Sequence, residues 1–278
     1  MNLLSLDTST EACSAALSVG GKITDRHELA PRRHAELILP MVDELLREAG
    51  VTLRDLDALA FGRGPGAFTG VRIAAGVIQG LAFGAEKPVV AISSLAALAQ
   101  GVAADRAAGT LIMSAFDARM GEVYWGVYRV GDDGLVVLVG EEQVAKPEQV
   151  ALPLGSVSVR SELMLRPRDT ASLGSELMLR PRDTASLGSE LALRPLNTAG
   201  GIGATAPTPV RLVGVGSGWQ TYGAALRARC GNDSVEVFPD RYPHARDVLA
   251  LAQRDFAAGL AVSAEEAQPV YIRNKVTG

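Results

Sequence analysis

The chain carries one pattern written twice, and that repetition leaves it few ways to fold. NLLSLDTS (2–9), ACSAALSV (12–19) and KITDRHEL (22–29) are apolar or alternating runs, parted by a polar turn and by Gly20-Gly21. A period of two broken by turn residues predicts a three-strand meander. TLIMSAFDA (110–118), GEVYWGVYRV (121–130) and GLVVLVGEE (134–142) repeat the plan. Behind the first meander, residues 32–50 place Ala35, Ile38, Leu39, Val42, Leu45 and Leu46 at helical spacing, with Gly50 as the stop. Pro40 inside that pattern is expected to bend the helix or loosen a turn. A strand at 56–62, a helix at 68–85, a strand at 88–92 and a serine-capped helix at 93–103 follow. Behind the second meander come a strand and glycine turn (209–219), a helix through Arg229, a strand (234–238) and a helix (245–259).

Two copies of one ββ-β-α-β-α-β-α lobe in an α/β chain are the plan of the two-lobed actin-like, sugar-kinase-like (ASKHA) superfamily, where nucleotide sits between the lobes. The expected division is residues 1–106 and 107–278, with an insertion at about 155–208. There SELMLRPRDTASLG (161–174) recurs unchanged at 175–188 and decays at 189–196. A unit of this length, with its proline and glycine, is too short to stack as a solenoid, and the prolines spoil a coiled coil. A tolerated surface loop is the expectation, with an arginine-rich tether as the alternative.

At 278 residues and a net charge of −4, the surface is not the basic glove of a nucleic-acid-binding domain. Cys13 and Cys230 are too few for a disulfide framework. Asp7 and Glu11 interrupt the N-terminal run, which has no basic leader before it, so a signal peptide is not expected. The stretch 70–85 carries Arg72 and Gln79 and is shorter than the ~20 residues of a membrane span. A cytoplasmic protein without membrane contact is predicted.

AFGRGPGAFTGVRIAAG (60–76) is rich in glycine, yet it lacks the lysine of a Walker A loop. It also misses the dinucleotide fingerprint, whose third position falls on Thr69 with Gly70 one place late. Gly62, Gly64, Pro65 and Gly66 predict a tight turn, with Thr69 placed to cap the following helix and an anion site as a lesser possibility. Along that helix Gly76, Gly80 and Gly84 fall at i, i+4 and i+8, at ~1 kcal/mol of lost propensity each. Close approach of a partner helix, or of the chain's own lobe, would compensate. LDTST (6–10) sets Asp7, Thr8 and Ser9 either at a nucleotide cleft or in a self-bonded Asx/Ser turn. Asp117 and the turn of Gly216 and Gly218 are the matching positions of the second half. His27, His34 and His244 are the only histidines and show no metal-ligand spacing, and no Gly-x-Ser-x-Gly elbow is in register.

DTSTEACSAAL, GRGPGAFTGVRIAAGVIQGLA, DARMGEVYWGVY, VGVGSGW and PVYIRNKV together resemble the bacterial TsaB (YeaZ) family, over residues 1–150 and 210–276. The resemblance implies the dimerisation subunit of the tRNA N6-threonylcarbamoyladenosine machinery, with no catalytic residues, metal or cofactor of its own. ATP/Mg and metal would belong to its partners, the catalytic paralogue TsaD and the ATPase TsaE, and tRNA would be met through the complex. Where TsaD chains carry a His-x-x-x-His metal pair, this one has Ser94 and Leu98. A hydroxyl and an isobutyl group do not replace two imidazoles. The helices 32–50 and 68–85 map onto the family's docking pair, used for TsaD or for a homodimer as a four-helix bundle. That assigns His34, Leu37, Ile38, Met41, Leu45, Phe68, Thr69, Arg72, Ile73, Gly76, Val77 and Gly80 to the interface. An active actin-like ATPase or kinase using Asp7, Asp117 and the 214–218 turn is the alternative. A glycoprotease would need a metal or nucleophile that the sequence does not display.

Overall fold

The structure is a computed structural model and describes residues 1–150, 152, 211–230 and 235–272. The described residues form one compact unit. The repeat at 161–196, and with it the expected insertion, lies outside the described residues.

Strands β1 (Leu3–Asp7), β2 (Ala12–Val19), β3 (Lys22–Leu29), β4 (Ala58–Gly62) and β5 (Val89–Ile92) make the first sheet, in the order β3-β2-β1-β4-β5. The meander pairs antiparallel, Leu3 facing Ser18 and Asp7 facing Ser14, while β1, β4 and β5 run parallel. The second sheet contains β6 (Leu111–Arg119), β7 (Glu122–Val130), β8 (Val136–Leu138), β9 (Gln143–Ala145), β10 (Leu212–Val215) and β11 (Glu236–Phe238). Its order, β8-β7-β6-β10-β11, repeats the first strand for strand, and β9 pairs with the other end of β7. The doubled order is that of the two-lobed actin-like fold. Here the sequence expectation needs one correction: 134–142 is not one strand. Gly140, at φ 82°, turns the chain between β8 and β9.

Helices α1 (His34–Ala49), α2 (Phe68–Ala85), α3 (Ser94–Gln100), α4 (Ser217–Cys230) and α5 (Ala245–Ala257) complete the lobes. Leu4, Leu6, Leu59 and Phe61 meet Ile38, Val42 and Leu45 of α1 and Ala74 and Ile78 of α2 in a core on the outer side of the first sheet. Trp125, Trp219 and Leu226 fill the matching core beneath α4. Between the sheets lies a third core, built from both halves and including Leu98 of α3 and Val248 and Leu249 of α5. The halves exchange helices there. α3 packs on β6, β7 and β8, and α5 packs on β1, β2, β4 and β5. Two buried serines in the first sheet serve that exchange. Ser5 Oγ donates to the Ala245 carbonyl at 2.7 Å, and Ser14 Oγ accepts the Ala245 N–H at 2.9 Å. Buried hydroxyls need such partners.

Pro40 does not end α1, which runs through it to a left-handed C-cap at Gly50. Pro40 is exposed, so water reaches the carbonyl that its missing N–H leaves free. Beyond α5 the chain returns to the first lobe. Val262 and Val89 exchange backbone hydrogen bonds, and the Val270 N–H donates to Arg63 at 2.8 Å.

Candidate functional site

Two places were singled out by sequence: the glycine loop with the cleft behind it, and the outer faces of α1 and α2. In the first, the glycines admit backbone rather than ligand. A Cβ at Gly66 would run into the carbonyl oxygen of Ser9, one at Gly70 into that of Thr8, and one at Gly62 into the Asp7 carboxylate. The loop is drawn onto the 7–9 turn. The Ala67 N–H donates to Ser9 O at 2.7 Å, and Thr8 Oγ1 donates to Gly70 O at 2.7 Å.

Asp7, Thr8 and Ser9 are fully buried. Asp7 Oδ1 accepts the Ser9 N–H and the Ser9 hydroxyl, both at 2.8 Å, and Oδ2 accepts from Ser94 Oγ at 3.1 Å. Burial pushes the Asp7 carboxyl above its usual range, against these hydrogen bonds and the nearby His34. This is the self-bonded turn. These hydrogen bonds engage Asp7 and Thr8 inside the protein, and neither lies on the cleft wall where a magnesium-bound nucleotide would sit. The second half behaves alike. Gly214 lies under the Trp219 ring, whose Nε1–H donates to Met113 O at 2.8 Å. Gly216 abuts the Ala115 carbonyl and Leu98, and a Cβ at Gly218 would lie 2.7 Å from that of Ala115. These residues do not fit a nucleotide with its metal.

A cleft of about 750 Å³ does open between the lobes, lined by Ser9, Glu11, Phe68, Arg72, Asp117 and Tyr271 among others. Structure therefore brings Ser9 and Asp117 of the sequence-named cleft residues to its wall, while Asp7, Thr8, Gly216 and Gly218 are not on it. Asp117 is held locally, Oδ1 accepting the Arg119 N–H at 2.8 Å and the Asp117 N–H donating to Ser217 Oγ at 3.2 Å. At the cleft mouth the Arg72 guanidinium lies 3.4 Å over the Phe68 ring and 5.4 Å from that of Tyr271. Sequence reasoning left Tyr271 unassigned, although it stands in the PVYIRNKV signature.

In α3, Ser93 is the N-cap and accepts from the N–H groups of Leu95 and Ala96, as the sequence predicts. Ser94 bonds Asp7, and Leu98 is buried against the Gly216 turn. Among the described residues, no three His, Cys, Asp or Glu side chains gather as a metal-ion set.

The outer helices divide their interface candidates. Ile38, Met41 and Leu45 are buried in the lobe's own core, and His34 is 7% exposed, its Nε2 without a hydrogen-bond partner among the described residues. The family resemblance sets these four at the partner surface, and their burial corrects that expectation; Leu37 is half-buried. Leu39, 48% exposed, is the large apolar side chain that α1 turns outward. On α2, Phe68, Thr69, Arg72, Gly76 and Gly80 are exposed, and Ile73 and Val77 half-buried. Thr69 does not cap the helix; Ala67 is the N-cap residue and gives no side-chain bond. A Cβ added at Gly76, Gly80 or Gly84 would meet nothing within 4 Å among the described residues. Phe83, missed by sequence, is 72% exposed beside them. A groove of about 710 Å³ runs between the C-terminal ends of the two helices, with Leu46, Val51, Leu53, Gly80, Leu81 and Gly84 in its walls. At 18 residues and mean hydropathy 1.3, α2 is long and apolar enough to cross a membrane by length and composition, yet one side of it packs on the first sheet.

The family model for TsaD, tRNA N6-adenosine threonylcarbamoyltransferase, matches residues 25–176. The tRNA threonylcarbamoyladenosine biosynthesis protein TsaB of Escherichia coli is 37% identical over 99% of this chain and 96% of its own length. That of Haemophilus influenzae is 37% identical over 100% and 95%. Among solved structures, YeaZ from Pseudomonas aeruginosa is 40% identical, with a TM-score of 0.71 over 97% of this chain and 99% of its own. A further Pseudomonas aeruginosa structure, described as an uncharacterized protein with similarity to peptidase YeaZ, gives 40% and 0.73 over 98% and 99%. Full-length identity, matching topology and the shared motifs together place this chain in the TsaB (YeaZ) family.

Proposed function

We propose that the chain is the non-catalytic partner subunit for transfer of threonylcarbamoyl from threonylcarbamoyl-AMP to N6 of adenosine 37 in ANN-decoding tRNAs. It acts by heterodimerising through α1 and α2 with a TsaD-type catalytic paralogue. The observation that carries this reading is the outward stripe Gly76, Gly80 and Gly84, which costs helix propensity and is repaid by no contact among the described residues. Small residues let a second helix approach closer than the usual 8–10 Å. The apolarity of α2 then serves two faces, the inner one in the core and the outer one against a partner. The same face would support a homodimer when the paralogue is absent.

In this reading ATP with magnesium, and any catalytic metal, are held by the partner and by a TsaE-type ATPase, and tRNA is met through the complex in the cytoplasm. What this chain's residues do is hold a rigid platform. Asp7, Ser9 and Ser94 fix the loop that launches α2, and Thr8 ties down its first turn. Purified alone with ATP, threonine, bicarbonate and tRNA, the protein is expected to modify nothing. Added to TsaD, TsaE and a source of threonylcarbamoyl-AMP, it should become essential. Modification that proceeds equally without it would refute the assignment. The open cleft favours one rival, an actin-like ATPase, and steady ATP turnover by the isolated protein would select it.

A further inference from the structure

We propose that the stacked pair His27–His244 is a proton-operated clasp holding the first turn of α5 on the first sheet. His27 projects from β3, the edge strand of that sheet, and His244 is the N-cap of α5, the helix contributed by the second half. Their rings stack with centroids 4.7 Å apart and planes 9° from parallel. His244 caps through Nδ1, which accepts the Arg246 N–H at 3.1 Å. That leaves the proton of the neutral ring on Nε2, 3.5 Å from Asp25 Oδ2. Asp25 Oδ1 in turn receives Arg246 at 3.0 Å. The geometry requires a neutral His244, since an imidazolium carries hydrogen on both nitrogens and accepts nothing.

A proton on His244 therefore acts three ways at once. It removes the cap acceptor, sets a cation against the facing ring of His27, and sets a cation beside Arg246. Only the contact with Asp25 gains. Burial, followed by His27, holds the His244 ring below the usual histidine range, with Arg246 adding to this and Asp25 opposing it. The surrounding charges are few. β3 contributes Lys22, Asp25, Arg26, His27 and Glu28, of which Arg26 is paired to Glu44 and Glu48 of α1. The preceding loop contributes Asp240 and Arg241 along with Tyr242, and α5 itself Arg246 and Asp247. β2, β4, β5 and α3 carry no charged side chain, and β1 carries only Asp7, bound by Ser9 and Ser94. Asp247 responds in the opposite sense, its buried carboxyl becoming neutral as acid is added. The test therefore reads the cap itself rather than overall stability.

Protection of the Arg246 amide against hydrogen exchange, corrected for intrinsic rate, is followed in the full chain from pH 7.5 to 5.5. The His244 ring is titrated in parallel by NMR. The clasp predicts an excess loss of protection of about fivefold, the factor that an N-cap is worth, at the His244 midpoint. His244→Asn, whose amide oxygen caps at every pH, should keep the fold and abolish that loss. His27→Gln should move the His244 midpoint upward. Arg246 protection that ignores pH in the parent, or the same loss in His244→Asn, would overturn the clasp. A His244 midpoint unmoved by His27→Gln would show that the stack plays no part in it.

Discussion

Six of the seven glycines from residue 62 to residue 84 fall into two sets that differ in what surrounds them. At Gly62, Gly66 and Gly70 a side chain would collide with the Asp7–Thr8–Ser9 turn, while at Gly76, Gly80 and Gly84 it would meet open space. Glycine has one cost in both sets, lost backbone entropy. The first set recovers it inside the molecule through close backbone contact. The second meets nothing there among the described residues, and that imbalance is what the proposed partner docking on α2 rests on. A glycine-rich loop is commonly taken as a phosphate cradle. Here the loop's own neighbours fill that space.

The sharpest way to break the contrast is to add one methyl to each set. Gly70→Ala forces a Cβ into the Thr8 carbonyl, backbone against backbone, where no rotamer can yield. A loss of ~3 kcal/mol, the upper part of the overpacking range, is expected in chemical denaturation. A Gly70→Ala protein as stable as the parent would end the distinction.

Gly101 sharpens it from between the extremes, because its neighbour is a side chain: a Cβ there would lie 2.8 Å from Asp247 Oδ2. Burial pushes the Asp247 carboxyl up to about 7, so the folded state binds this proton more tightly than the unfolded one. That contribution is fully present below the ordinary carboxylate range near 4 and is lost as pH rises to about 7. Asp247→Asn should therefore stabilise the protein by about 2 kcal/mol at pH 8, roughly half of what three pK units represent, with the gain fading towards pH 4. Melting temperatures across that range check it, and a gain of equal size at pH 4 would contradict the assignment to Asp247. The smallest effect belongs to the open set. Gly84→Ala in the monomer should raise stability by up to ~1 kcal/mol, from propensity alone. A drop in Tm would show a contact that the open space denies.

Much of the fold is legible in the residues, because period-two runs between turn glycines and helical spacing between stops are local signals. The doubled meander, the Ser93 cap and the Gly50 stop all follow from them. The exchange of α3 and α5 between halves is not local. It shows in sequence only as Ser5 and Ser14 at the centre of apolar strands, hydroxyls awaiting the backbone of Ala245. The site is half legible. Periodicity finds the apolar stripe of α1, Leu39 included. The assignment of Ile38, Met41 and Leu45 to a partner comes from the family resemblance, which does not show that the lobe's own core takes them while Leu39 points outward. Glycine spacing marks α2 for close approach but leaves a partner and the chain's own lobe as alternatives; only the space around Gly76, Gly80 and Gly84 among the described residues separates them. Asp7 reads as a cleft residue until Ser94, far along the chain, is seen to hold its second oxygen.

The account rests on α2 facing outward for a partner, and Gly80→Leu tests that most directly. A Cβ at Gly80 meets nothing within 4 Å among the described residues, and leucine is a much better helix former than glycine, so circular dichroism and Tm should match the parent or rise slightly. Against a TsaD-type partner it forces the helices apart, and overpacking of ~1–3 kcal/mol corresponds to roughly one to two decades in Kd. Isothermal titration of parent and variant with that partner gives the answer. A folded variant that binds ten- to a hundredfold more weakly is the predicted result, and a folded variant that binds as tightly as the parent would contradict it.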